Sequence, residues 1–524
     1  MKKARIFNWS KSSFFIGATM AIALIFNGCA DLEEDPSIAN LAPGSYSNLV
    51  ELELGVTGIY SQLRNASQWS TFFVAGWGGD DITTHKVSNK ADFREFDQRS
   101  VSSENARTVG NWRDIYRMVR AANSVLESAE GLEVPDQDAQ NRLLGEVYFL
   151  RGSMFFHLTR VHSRIPLPLT AEPELDISLS SQAEVYAQIE SDLMQAESLL
   201  PTIYPGVQPG APRPNSGSAS AMLARLYLDW AGFPENDNSK HAMAASKAKQ
   251  VIDNSASHGF ALADNLESLW TLDNRFNSEG VWTIPYNTDN GLHNRKYGKL
   301  GNPSDLAGWQ ETFAEIRFFE DFPEGARKEA TYRTEHDWEN FTDQTNPVFK
   351  KITGPDGDIP LSAFNTNRND FYIRYAEVLL IYAEASARSG NESADAWESL
   401  NMIRRRAAGL PYGTAVTAET AQLDAMGNPD AGGLTYVDVS SGDLAELAFI
   451  ERKWELAGEW IRWNDLVRMQ RVEQALSQRD PQSSMNAAGE MIQVSNPIIG
   501  SLGTDNYFAP IPANEIVLNP NLGN

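Results

Sequence analysis

One cysteine, Cys29, serves all 524 residues. No intramolecular disulfide can form, and stability has to come from packing. Cations are scarce: 44 Lys and Arg against 69 Asp and Glu leave a formal charge of −25. That balance excludes recognition of a phosphate backbone and electrostatic adhesion to anionic lipid, so no nucleic-acid partner is expected. Histidine is rarer still, at seven residues, with no His-Glu-x-x-His string. His157 and His162 are five apart and point to different sides of a helix, so each reads as a polar edge of a packed helix rather than a ligand. Gly-x-Ser-x-Gly, P-loop and dinucleotide fingerprints are missing too, and nothing in the chain calls for a cofactor or a metal. Long apolar runs are lacking except at residues 14–26, a stretch too short for the roughly 20 residues of a membrane-spanning helix.

That one run has a context. Lys2, Lys3, Arg5 and Lys11 precede it, giving the charged start and short apolar middle of an export signal that is removed. Gly28 is the small residue a lipoprotein signal peptidase requires, and Cys29 is expected to carry acyl chains as the mature N-terminus. The alternative is an ordinary secretory signal with a chance cysteine. Asp31, Glu33, Glu34 and Asp35 follow, in a segment too acidic and too poor in aromatics to fold alone. The expected organisation is a signal peptide over 1–28, a lipidated tether over 29–45 and one domain over 46–524. Within it, 46–254 and 369–524 read as helical parts and 255–368 as a loop-rich ligand region.

Apolar spacing predicts helices over 47–64, 108–131, 138–162, 182–200, 218–231, 239–254, 371–389, 394–408 and 443–476. Ser181 with Glu184 forms a capping box at the fourth of these. In "YIRYAEVLLIYAEASARSG", Tyr375, Val378, Leu379, Tyr382, Ala383 and Ser386 share one face, Glu384 and Arg388 pair on another, and Gly390 supplies the stop. With "AWESLNMIRRRAAGL" it should make an αα-hairpin. Small residues such as Ala383, Ala387, Ala407 and Ala408 suggest tetratricopeptide-like packing without a strict 34-residue period. Between 255 and 368, Gly, Pro, Asn and Asp crowd in, and only "VWTIPYN" alternates as a strand; 411–442 looks equally loop-like. The fold class is therefore mainly α, a TPR-like helical scaffold with a loop-rich, partly β ligand-binding region.

Six stretches, in order, resemble the SusD/RagB family of outer-membrane nutrient-binding lipoproteins of Bacteroidota: "GEVYFLRGSMFFHLTRVHSRIPLPL", "AEVYAQIESDLMQAESLLP", "SASAMLARLYLDWAG", the hairpin just described, "IERKWELAGEWIRWNDLVRM" and "FAPIPANEIVLNPNLGN". "HSRIP" departs from the family's Tyr-Gly before the proline, and Trp460 stands where a Gly is common. The resemblance implies a lipoprotein held in the outer membrane by its acylated Cys29 and facing the cell exterior. It would act as the lid of a SusC-like TonB-dependent transporter that imports oligosaccharides or, in some relatives, peptides. The acids after Cys29 then resemble a surface-export signal, the plain alternative being a solvated tether.

Three carboxylates, Glu451, Glu455 and Glu459, lie one turn apart on one predicted helix, as the acid and nucleophile of a glycosidase would. Arg452, Arg462, Arg468 and Arg404–Arg406 are close in sequence, which favours an inter-helix salt-bridge lattice over catalysis. Binding chemistry lies elsewhere. Sugars present flat C–H faces rimmed by hydroxyls, so their sites pair exposed aromatics with carboxylate, amide and guanidinium groups. In "GWGGDD", read as a flexible loop, Trp77 beside Asp80 and Asp81 has that chemistry, whereas Trp69, Phe72 and Phe73 read as core. In "IPYNTDNGLHNRKYGKLGNPSDLAGW", Tyr286, Arg295, Tyr297 and Trp309 form the candidate facing wall, with Trp338 a weaker choice and Trp282 core. Trp77, Tyr297 and Trp309 would stack on sugar rings while Asp80, Asp81 and Arg295 orient them, and the helical-repeat side would dock the transporter. A peptide-capturing relative, a surface glycoside hydrolase and a pure protein-interaction module remain as alternatives.

Overall fold

The computed structural model describes residues 46–69, 71–84, 90–302, 308–309, 311–335, 347–355, 365–416, 437–479, 483–485, 491–493 and 496–523. Cys29, the acidic tether, His85, Trp338 and most of the 411–442 insertion lie outside them.

Ten helices carry the scaffold: α1 Leu49–Ser67, α2 Ala106–Ala129, α3 Gln137–His162, α4 Gln182–Leu199, α5 Ser216–Trp230, α6 Lys240–Asp253, α7 Tyr375–Arg388, α8 Ala394–Ala407, α9 Leu444–Glu455 and α10 Arg462–Arg468. From α1 to α7 each packs on the next, and α7 then meets both α8 and α9. That neighbour-on-neighbour stacking is the mode of helical repeats, since each amphipathic pair needs an adjacent pair to cover its apolar stripe. α3 is the axle, buried on nearly every side from Gly145 to His162. A Cβ on Gly152 would stand 3.0 Å from Asp192 Cβ, so glycine lets α3 and α4 approach closely. The Arg151 guanidinium fastens the same contact, donating to both Asp192 oxygens at 2.9 and 2.7 Å.

Local signals behave as their chemistry requires. Ser181 and Glu184 close the capping box at α4, and Arg388 pairs with Glu384 at 2.8 Å. Gly390 stops α7 at φ +81. Two helical expectations are corrected. The 371–389 helix begins only at Tyr375, because the β-favouring Phe-Tyr-Ile run before it belongs to a strand, Asp370–Arg374, paired antiparallel with Gly280–Ile284. The 443–476 stretch is three helices, α9, α10 and Val472–Leu476. Gly458 (φ +75) and Trp460 (φ +65) make its first corner. A left-handed tryptophan costs about 1–2 kcal/mol, and here the indole is held by packing 4.6 Å from the Trp77 ring.

The 255–368 stretch is richer than alternation suggests. Besides the strand Gly280–Ile284 it contains short helices Lys296–Gly301, Ile316–Asp321, Ala326–Thr331 and Lys350–Thr353. Two-residue strand pairs join Ile82–Thr83 to Phe313–Ala314 and Tyr332–Arg333 to Val348–Phe349. A large apolar core runs through α1–α9 and the longer strand pair, with Trp282 fully buried in it. A second, aromatic core lies beneath the loops.

Candidate functional site

The structure separates the predicted binding residues into core and surface. Trp77 is no platform: it lies in a 3-10 turn, Val74–Gly78, is 0% exposed, and packs 4.6 Å from both Phe93 and Trp460. The "GWGGDD" stretch, expected as a flexible loop, is a closely packed and mostly buried turn. Its glycines serve close packing, since a Cβ on Gly78 would stand 2.7 Å from the Trp463 indole. Asp81 is buried, accepts the Gly458 amide at 2.9 Å, and is pushed up to about 6 by burial. Asp80 is spent on Arg462, which donates to both its oxygens at 2.7 and 3.2 Å. Tyr297 is buried in the aromatic core between the Lys296 ammonium and the Arg368 guanidinium. Indoles and phenols anchor cores because of the area they bury, and their polar sequence neighbours do not disclose it.

Arg295 and Trp309 remain at the surface. Arg295 lies over Trp69, 5.0 Å from its ring centroid, and donates to Asn365 Oδ1 at 3.1 Å. Trp309 is half-buried, with Lys90 Nζ 4.1 Å from its ring centroid. These two aromatic–cation pairs stand at opposite ends of the helix Lys296–Gly301, about 9 Å long at 1.5 Å per residue. Trp69, read from sequence as core, is therefore half of a surface pair.

Asp370 fixes this wall. Buried at the start of its strand, it accepts Lys296 Nζ at 2.6 Å, Asn294 Nδ2 at 3.2 Å and the Tyr286 hydroxyl at 3.1 Å. Lys296 also donates to Ser67 O at 2.7 Å, and the Arg295 amide donates to Gln68 O at 3.0 Å. The loop 286–297 is thus tied at once to the sheet and to the C-terminal end of α1. Tyr286 is 2% exposed, and its hydroxyl is occupied by Ser67 and Asp370, so it shapes the site from beneath.

Next to that end of α1 lies a cavity of about 390 Å³. Thr57, Tyr60 and Arg64, one turn apart on α1, form one wall. Arg213, Arg275, Phe276 and Asn287 form the other. Buried Glu146 organises the floor, accepting the hydroxyls of Tyr60 at 2.7 Å and Tyr204 at 3.0 Å and pairing with Arg213 at 2.8 Å. Burial, with the Glu146 charge behind it, holds the Tyr60 hydroxyl well above its ordinary range. One sign of this cavity is visible in the sequence, the polar Thr57–Tyr60–Arg64 stripe on α1. Its other wall comes from distant segments with no shared motif.

The three carboxylates form a lattice, Glu451 and Glu455 from α9 and Glu459 from the turn after it, not from one continuous helix as expected. Glu451 pairs with Arg327 and, at 3.8 Å, Arg404. Glu455 pairs with Arg406 at 2.8 Å, Arg374 at 2.9 Å and Arg327 at 3.3 Å. Glu459 pairs with Lys351 at 2.6 Å and Arg374 at 2.7 Å. The surrounding cations hold Glu455 well below the usual carboxylate range despite its burial, the opposite of the raised acid a glycosidase needs. His157 and His162 are buried, and burial depresses them to about 3 and about 4, so both are neutral. Among the described residues no group of three or more His, Cys, Asp or Glu could hold a metal ion, and no helix is long and apolar enough to cross a membrane.

Residues 324–524 match the model of the SusD family, and residues 50–228 match one described as starch-binding associating with outer membrane. SusD-like protein P2 of Formosa agariphila is 25% identical, the match covering 96% of this chain and 97% of that protein. Among solved structures, a SusD homolog from Bacteroides thetaiotaomicron superposes with a TM-score of 0.73 at 20% identity, covering 93% of this chain and 98% of that one. A laminarin-binding SusD-like protein superposes with a TM-score of 0.69 at 24% identity, over 90% and 98% of the two chains.

Proposed function

The chain belongs to the SusD family, and from that membership we propose that it is a non-catalytic, cell-surface glycan-binding lipoprotein, anchored through Cys29 and serving as lid of a SusC-like TonB-dependent transporter in nutrient uptake. The observation that carries the ligand class is the two cation-backed aromatics, Trp69 with Arg295 and Trp309 with Lys90, on either side of the helix Lys296–Gly301. Flat apolar rings flanked by guanidinium and ammonium donors suit the C–H faces and hydroxyl rims of sugars. The laminarin-binding relative supports the same class. The acids of α9 hold the scaffold together, so the reading includes no bond cleavage. On this reading the ligand wall faces the transported glycan and the stacked helices offer the transporter their broad surface.

The test is a glycan array followed by titration calorimetry on the full chain. Trp309→Ala and Arg295→Gln should each weaken the best glycan by about 1–2 kcal/mol, five- to thirtyfold, with the melting temperature unchanged. Peptides bound in place of glycans, or reducing ends released from the bound glycan, would overturn the reading.

A further inference from the structure

The cavity beside α1 is rich in cationic donors and poor in carboxylates. Three guanidiniums line it, Arg64, Arg213 and Arg275, against one carboxylate, Glu53, on its exposed rim. In a chain of charge −25 that is a local inversion. Arg213 is neutralised by Glu146 at 2.8 Å. Neither other arginine has a salt-bridge partner among the described residues. Arg275 donates one bond, to Leu272 O at 3.2 Å, and its Nε is buried without a partner. Burial lowers the Arg64 guanidinium from its ordinary value, with only the Tyr286 phenol acting the other way.

Most of this protein's buried cations meet carboxylates: Arg374, Arg406, Arg452 and Arg468 each have two or more within 4 Å. Buried Arg99 instead donates to the Asn506 carbonyl and lies over Trp463. What sets the cavity apart is two partly exposed guanidiniums without a carboxylate in one lining. A neutral sugar hydroxyl donates as well as accepts and needs acceptors opposite it. A lining of spare guanidiniums instead suits a ligand that only accepts. A planar guanidinium can grip a carboxylate or sulfate through two parallel bonds, while Phe276 and Tyr60 offer apolar surface for a ring. Resting on the glycan-binding reading above, we propose that this cavity takes the oxyanion of an acidic oligosaccharide, a uronate carboxylate or a sulfate ester, through Arg64 and Arg275.

The experiment is calorimetry on the full chain with four probes: an oligogalacturonate, a sulfated galactan oligomer, a neutral laminarin oligomer and a polyglutamate peptide. At least one charged oligosaccharide should bind about tenfold or more tightly than the neutral one, with affinity falling steeply between low salt and about 0.5 M NaCl. The ranking of uronate against sulfate identifies the source of the oxyanion. Arg64→Gln with Arg275→Gln should remove that preference at an unchanged melting temperature. If the double variant fails to fold, the charged-to-neutral ratio and salt dependence of the unaltered chain decide. Equal binding of neutral and charged oligomers would overturn the oxyanion assignment and leave glycan binding standing. Binding of polyglutamate alone, or of no probe, would overturn both.

Discussion

Replacing Glu455 by Gln keeps the side chain's shape and one acceptor while removing its charge. Around it, Arg327, Lys351, Arg374, Arg404 and Arg406 face Glu279, Glu451, Glu455 and Glu459, five cations against four carboxylates, all buried or nearly so. The variant adds a further uncompensated cation where solvent cannot screen it. Breaking a buried pair on one side costs about 3–5 kcal/mol. For roughly 420 described residues the unfolding entropy is about 0.9 kcal/mol per kelvin, so the melting temperature should fall by about 3–6 °C. Arg406→Met added to the same chain restores the count and should recover part of the loss, because Arg406 is the cation bonded to Glu455 at 2.8 Å. Differential scanning calorimetry of the two variants measures both. A single variant within about 1 °C of the parent, or a double variant losing the sum of the two single effects, would refute the view that this lattice acts as a coupled unit.

Trp77→Ala should cost about 3–5 kcal/mol of stability by opening a cavity in the aromatic core, read by chemical denaturation; loss of ligand affinity with stability intact would contradict its burial. Asp81 is raised to about 6 by burial, so the stability it contributes is full below pH about 4 and is lost as pH rises through about 6. Asp81→Asn should therefore stabilise the protein by on the order of 2–3 kcal/mol at pH 8 and hardly at all at pH 4, as melting curves at the two pH values would show. Glu384, drawn down to about 2 by Arg468 and Arg388 against its burial, has the opposite sign. Its contribution is present above pH about 4.5 and lost as pH falls toward 2, so Glu384→Gln should flatten acid unfolding in that window.

The mainly helical scaffold was legible because its helices repeat apolar residues at three and four over many turns, with caps and stops where the backbone needs them. The hairpin 375–407 and the capping box at Ser181 show this directly. The salt-bridge reading of Glu451, Glu455 and Glu459 was legible as well, since like charges one turn apart need cations. Of the expected cations Arg404 and Arg406 do pair with them, whereas Arg452, Arg462 and Arg468 bind other acids; Arg374, Arg327 and Lys351 could not be read because they come from segments remote in sequence. The site was harder. Trp77 and Tyr297 sit among glycines and polar residues, which suggests exposure, yet they fill the core beneath two-residue strands too short to leave a pattern. Of the predicted contacts, Arg295 and Trp309 stay at the surface. The cavity beside α1 is assembled from α1, 212–213, 275–276, 282–287 and Leu292, a convergence that exists only after folding.

The orientation of α1 has a geometric corollary. Tyr46 lies against Gly55 and Val125 at the helix's first turns, whereas Trp69, under Arg295, follows its last turn. Nineteen residues of helix put about 28 Å between those points. A leash attached ahead of Tyr46 would thus depart a full helix length from the proposed ligand wall, giving that wall standoff from whatever the leash is fastened to.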